Sequence, residues 1–164
     1  MEIRFSDIND DPYEISNIYE SSWKYAYKGI IPQEYLDSIP KGRWAASINK
    51  KGMQSLVIDD NGKLIGTAGI CRSRWERFHD CGEIVSIYLL PEYIGKGIGS
   101  KLLKRCIDEL KLQGFNKILL WVLEENTRAR GFYEKNAFLC TDEYISDNIG
   151  GKSLREIMYI LDIK

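Results

Sequence analysis

An α+β, mixed α/β fold is expected for this chain. It would be a single domain over residues 1–164, built on a twisted, mostly antiparallel sheet of about six to seven strands. A strand–helix–strand crossover lies at its centre and helices flank the sheet. Three observations predict this. Asn61-Gly62 joins two apolar runs and is the strongest short-range hairpin signal. Further along, a strand-like run, a glycine loop, an amphipathic helix and an apolar strand succeed one another over 82–123, as in a parallel crossover. Finally, 164 residues with 44% apolar and 29% charged side chains suit one domain with a real core.

Each element has a local reason. Residues 2–5 read as a short strand. Asp10-Asp11-Pro12 starts a helix, with acidic groups at its positive end and proline in the first turn. Ile15, Ile18, Tyr19, Ser22 and Trp23 then recur at helical spacing. Tyr25, Tyr27 and a Gly29-Ile30-Ile31-Pro32 turn follow, then two short helical pieces, 33–39 and 43–49, separated by Pro40 and Gly42. Strands are expected over 54–59, 63–71 and 82–90, with a charged, aromatic loop at 72–81. A helix over 97–113 carries Ile98, Leu102, Leu103, Cys106, Ile107 and Leu110 on one face and stops at Gly114. The run 117–123 is nearly all apolar, like a strand covered on both faces. A helix from about 126 to 136 and an antiparallel pair, 138–144 with 154–161, complete the order.

Composition excludes several function classes. A net charge of −1 gives no global attraction to nucleic acid or anionic membrane, so neither partner is expected. No signal-peptide pattern opens the chain, and the longest strongly apolar run, 118–123, is far too short to span a bilayer. Cys71, Cys81, Cys106 and Cys140 are scattered without C-x-x-C spacing, which suits buried thiols in a reducing compartment. A cytoplasmic location is the expectation. His79 is the sole histidine, so sites needing two are excluded and no metal is expected.

The stretch Leu89-Leu90-Pro91-Glu92-Tyr93-Ile94-Gly95-Lys96-Gly97-Ile98-Gly99 narrows the function most. Glycine permits positive φ and close backbone approach. The helix start behind it offers unpartnered N–H groups at the positive end of a macrodipole. Together these make an anion site, most naturally for phosphate. The loop fits neither the P-loop pattern G-x-x-x-x-G-K-S/T nor the dinucleotide pattern G-x-G-x-x-G, because its third glycine falls one place early.

With a second motif downstream, the chain resembles the GCN5-related N-acetyltransferase (GNAT) family. Ile94-Gly95-Lys96-Gly97-Ile98-Gly99 resembles that family's acetyl-CoA pyrophosphate motif, Q/R-x-x-G-x-G/A. Asn126-Thr127-Arg128-Ala129-Arg130-Gly131-Phe132-Tyr133-Glu134-Lys135-Asn136-Ala137-Phe138 resembles N-x-x-A-x-x-F-Y-x-K-x-G-F. Element order matches along nearly the whole chain. Two departures stand out. Ile94 replaces the usual Arg or Gln, though its backbone N–H is expected to remain available to phosphate. Ala137 replaces a glycine, so Asn136 is expected to take the left-handed position at the helix end.

The resemblance implies a GNAT-like acyl-CoA N-acyltransferase fold, acetyl-CoA as co-substrate and direct transfer to a primary amine of a small molecule or peptide N-terminus. By resemblance the N–H of Ile87 meets the acetyl carbonyl, while Leu89, next to Tyr88, pairs with pantetheine. Gly95 to Gly99 with Ile94, Ser100, Lys96 and Lys135 bind CoA, Asn126 bonds pantetheine or caps its helix, and Tyr133 protonates the leaving thiolate. Glu83 is the candidate base, since simple alternation gives it the parity of Val85, Ile87 and Leu89. Trp23, Tyr25, Tyr27 and Arg74 are expected at the acceptor pocket, with Arg74 available to an acidic substrate group. A homodimer is permitted by the last strand pair. A CoA-binding regulatory module with weak catalysis is the alternative that Ile94 favours.

Overall fold

Described over residues 1–163, the computed structural model contains β1 (Glu2–Phe5), α1 (Pro12–Ala26), α2 (Gln33–Ser38), β2 (Gln54–Asp60), β3 (Lys63–Arg72) and β4 (Gly82–Leu89), followed by α3 (Ile98–Leu112), β5 (Lys117–Leu123), α4 (Thr127–Lys135), β6 (Leu139–Ile149) and β7 (Lys152–Asp162). The strands form one seven-stranded sheet in the order β1-β2-β3-β4-β5-β7-β6. Every neighbouring pair is antiparallel except β4–β5, the ends of the crossover through α3. This is the expected mixed architecture. The final hairpin is longer than its sequence pattern suggests, because β6 continues past 144 to the Gly150-Gly151 turn.

Local chemistry explains the helix ends. Asp11 caps α1 by accepting from Tyr13 N, and Pro12 occupies the first position, where its missing N–H is not needed. Helix α3 buries Leu102, Leu103, Cys106 and Leu110 against the sheet. Each such leucine contributes roughly 1.5–3 kcal/mol by leaving water. Its C-terminus closes at Gly114, φ +94, where Phe115 N donates back to Leu110 O. The end of α4 departs from expectation. Ala137 itself takes φ 68, while Asn136 stays at φ −100. Ala137 N and Phe138 N donate to Glu134 O and Tyr133 O, the paired bonds that close a helix through a left-handed residue, and Phe138 is buried beneath Tyr133. Of the four cysteines, Cys140 is exposed rather than buried.

Two irregularities position the site. β5 pairs with β4 only at Gly82 and Glu83, then follows β7, so the two strands part beyond that point. Within β4 the register slips: Ile84 faces Ile70 and Ser86 faces Gly69, leaving Val85 as an extra, bulged residue.

Candidate active site

Opposed residues of paired strands share a face of the sheet, so the bulge at Val85 reverses the parity assumed for β4. Glu83 faces the same side as Cys71, and beyond the bulge that side is continued by Ser86 and Tyr88, not by Ile87 and Leu89. Helix α1 covers this side: Tyr19 Oη bonds Ser86 Oγ at 2.9 Å and Trp23 Nε1 donates to Tyr88 Oη at 3.1 Å. Tyr27 Oη lies 3.5 Å from the same phenol.

The parted strands leave backbone groups open. Leu90 N donates to Ile65 O, so this pair is hydrogen-bonded across β3–β4. Alternation along an antiparallel ladder then turns the N–H groups of Ile87 and Leu89 away from β3, toward the gap where β5 has left. Ser22 Oγ donates to Leu89 O, which has a second lone pair to offer. A groove of about 1860 Å³ follows the gap.

At one end of the groove lies the glycine loop. Gly95 and Gly97 have φ +80 and +76, and nothing lies within 4 Å of a Cβ added at either. Gly97 is the N-cap of α3, and no side chain satisfies the amides of its first turn. The space and the free donors both fit a phosphate group. Gly95, Gly97, Gly99 and Ser100 line the groove, as do Ile94 and Lys135. Ile98 instead packs on the core, and Lys96 is exposed with its ammonium 5.4 Å over the Tyr93 ring. One expectation for Ile94 fails. Its N–H donates to Pro91 O at 3.2 Å, because Pro91–Tyr93 forms a tight turn that consumes it.

Asn126 caps α4, its Oδ1 accepting from Ala129 N at 3.2 Å. From the same helix Tyr133 reaches the groove with 9% of its surface exposed, packed among Phe132, Phe138 and Tyr159. Its hydroxyl has no partner among the described residues. Burial pushes the Tyr133 phenol up, so it stays protonated at neutral pH.

Beyond Tyr88 the groove widens into an aromatic chamber. Trp23 packs with Tyr27 and Trp44, and Arg74, Trp75 and Trp121 also line the chamber. Trp23 meets Tyr27 edge-on at 4.9 Å, and Trp75 lies 5.2 Å from Trp121. Tyr25 also lines the groove, with the Arg128 guanidinium 5.4 Å over its ring. Arg74 is not free for an acidic substrate group. Its Nη2 donates to Glu83 Oε1 at 2.8 Å and its backbone N–H to Oε2 at 2.9 Å. Glu83, expected as the base, is 1% exposed and lines only a side pocket of about 70 Å³. Its two oxygens are spent on Arg74.

Residues 13–138 match the Acetyltransferase (GNAT) family, more than half of the chain. The chain belongs to that family. As a member it is an acetyl-CoA-dependent N-acetyltransferase. An uncharacterised N-acetyltransferase of Archaeoglobus fulgidus is 34% identical over 140 residues, covering 81% of this chain and 89% of that protein. A spermidine N(1)-acetyltransferase of Thermoplasma acidophilum is 29% identical over 91% of this chain and 94% of its own. A PaiA N-acetyltransferase structure from Thermoplasma acidophilum, in complex with coenzyme A, superposes with a TM-score of 0.68 at 22% identity, over 99% of both chains. That last likeness shows the fold.

The acetyltransferase thus brings Ile87, Tyr88, Leu89, the glycine loop, Asn126, Tyr133 and Lys135 to one groove, with Trp23 and Tyr27 at its other end. Trp44, Trp121 and Glu156 line it as well, and the sequence reading missed them. For Glu156 a signal existed. In β7, Lys152, Leu154, Glu156, Met158, Ile160 and Asp162 alternate onto one face, and Glu156 is the only charged residue there between the strand's two ends.

Proposed function

We propose that this acetyltransferase moves the acetyl group of acetyl-CoA directly to a primary amine while both substrates are bound. The observation carrying this reading is the continuous groove. It runs from the open glycine loop, past the free N–H groups of Ile87 and Leu89, to the aromatic chamber. In this reading the amides after Gly97 hold the pyrophosphate and Leu89 N–H pairs with pantetheine. Ile87 N–H polarises the thioester carbonyl, an oxyanion donor worth about 10²–10³ in rate. Tyr133 gives its proton to the departing sulfur.

Direct transfer is supported by the thiols. Cys71 is the only cysteine lining the groove among the described residues, and burial with nearby Glu83 pushes it up to about 11. A thiol so protonated is a poor acyl carrier. The spermidine relative supports a small amine as acceptor. A panel of polyamines, amino acids and peptide N-termini, assayed by release of CoA thiol, tests the reading. Intersecting initial-rate patterns are expected with an active amine. Parallel, ping-pong patterns would refute direct transfer, and CoA binding without turnover on any amine would refute the enzyme reading.

A further inference from the structure

With Glu83 held by Arg74, the acceptor amine still needs a group to take its proton. We propose that Glu156, on β7, is that group: it receives the acceptor ammonium in the aromatic chamber and acts as general base. This rests on the N-acetyltransferase reading above.

Glu156 lies opposite Leu123, at the end of β5 that has parted from β4. It lines both the main groove and the side pocket that holds Glu83. Unlike Glu83, it accepts no hydrogen bond and forms no ion pair among the described residues. Its oxygens are therefore open to a donor arriving through the groove.

Three titratable or charged neighbours face it. Asp147 of β6 and burial both push its carboxyl up, while Arg74, from the loop after β3, opposes them. Arg74 is already neutralised by Glu83, so its hold on Glu156 is shared. From α1, the Tyr27 phenol, pushed up to about 12 chiefly by burial, lies within electrostatic reach of Glu156 and of Tyr133. The carboxylate and the proton donor line the same groove and share that neighbour. A carboxyl whose pKa is raised in this way is a stronger base than a solvated one. Trp23, Tyr27 and Trp121 line the same groove, and aromatic faces there favour a cation.

The step balances. Glu156 takes one proton from the ammonium, directly or through a water, and later releases it to solvent. The freed nitrogen lone pair forms the C–N bond at the thioester carbonyl, whose oxygen takes the displaced electrons. Collapse breaks the C–S bond, and Tyr133 protonates the sulfur. The nitrogen then gives up its second proton, which restores Tyr133. One ammonium and one thioester yield one amide, one thiol and one proton.

The test is Glu156→Gln, compared with wild type on an amine that wild type acetylates. The expected result is a fall in kcat/KM of about 10²-fold or more at neutral pH, with CoA affinity unchanged. The acidic limb assigned to the carboxylate should vanish from the pH profile. The rate should then recover with pH as solvent deprotonates the amine, and Glu156→Asp should restore part of the loss. An unchanged rate and profile, or an effect confined to the amine KM, would overturn the base assignment while leaving acetyl transfer intact. If wild type acetylates no amine in the panel, the enzyme reading fails and this one with it.

Discussion

Replacing Gly97 with alanine tests the phosphate loop at a position where backbone conformation, not a side chain, carries the function. Gly97 sits at φ +76, and a left-handed L-residue costs roughly 1–2 kcal/mol. No atom lies within 4 Å of the added Cβ, so the ligand-free loop can relax and escape that cost. Binding would then have to restore the strained form that aims the first amides of α3 at the phosphates. The cost should therefore surface in affinity, as a Kd for CoA weakened about 5–30-fold, with little change in melting temperature. Gly114→Ala is the matched control. Its φ is +94 and its Cβ space is equally empty, but Phe115 behind it is buried and bonded to Leu110 O, so relaxation is blocked. There the same strain should lower Tm by about 2–8 °C and leave CoA binding alone. Isothermal calorimetry and thermal melts on both variants decide the matter. Wild-type CoA affinity in Gly97→Ala, or equal weakening in both, would refute the assignment of the loop.

Three further outcomes are expected. Tyr133→Phe should lower kcat by about 10²-fold or more while CoA affinity holds, because the lost proton donor has no neighbour bonded to it that could substitute; steady-state rates beside calorimetry would show this. Ala137→Gly should relieve about 1–2 kcal/mol of left-handed strain against about 0.5–1 kcal/mol of extra chain entropy, raising Tm by a few degrees. Arg74→Ala strands the Glu83 carboxylate, which is 1% exposed, and should destabilise by about 3 kcal/mol, the low end for a broken buried pair because Arg74 is half-exposed. Adding Glu83→Gln should recover part of that loss in a denaturant melt, and no recovery would mean the ion pair is not what Arg74 supplies.

The sequence by itself determined most of the elements, their order and the glycine loop before α3, although the helical piece expected over 43–49 is only a tight turn at Ala45–Ser47. These depend on local rules: an Asn-Gly hairpin turn, helical or alternating apolar spacing, a Gly-rich helix start and an Asn cap all act within a few residues. Gly97 and the Asn126 cap were therefore legible without coordinates, whereas Tyr133 and the edge at Ile87 and Leu89 were expected only from the resemblance to the acetyltransferase family. The acceptor end was decided only by tertiary structure. One bulged residue, Val85, turned Glu83 to the face it shares with Ser86 and Tyr88, where Arg74 took it. A tight turn consumed the N–H that Ile94 was expected to offer, and the seat of Phe138 beneath Tyr133 put Ala137, not Asn136, in the left-handed conformation. Glu156 joins Trp23, Tyr27 and Trp121 in lining one groove, from far along the chain, because β7 inserts between β5 and β6. Register slips and insertions of this kind depend on pairing between distant strands, and the residues that decide them carry no local mark of it.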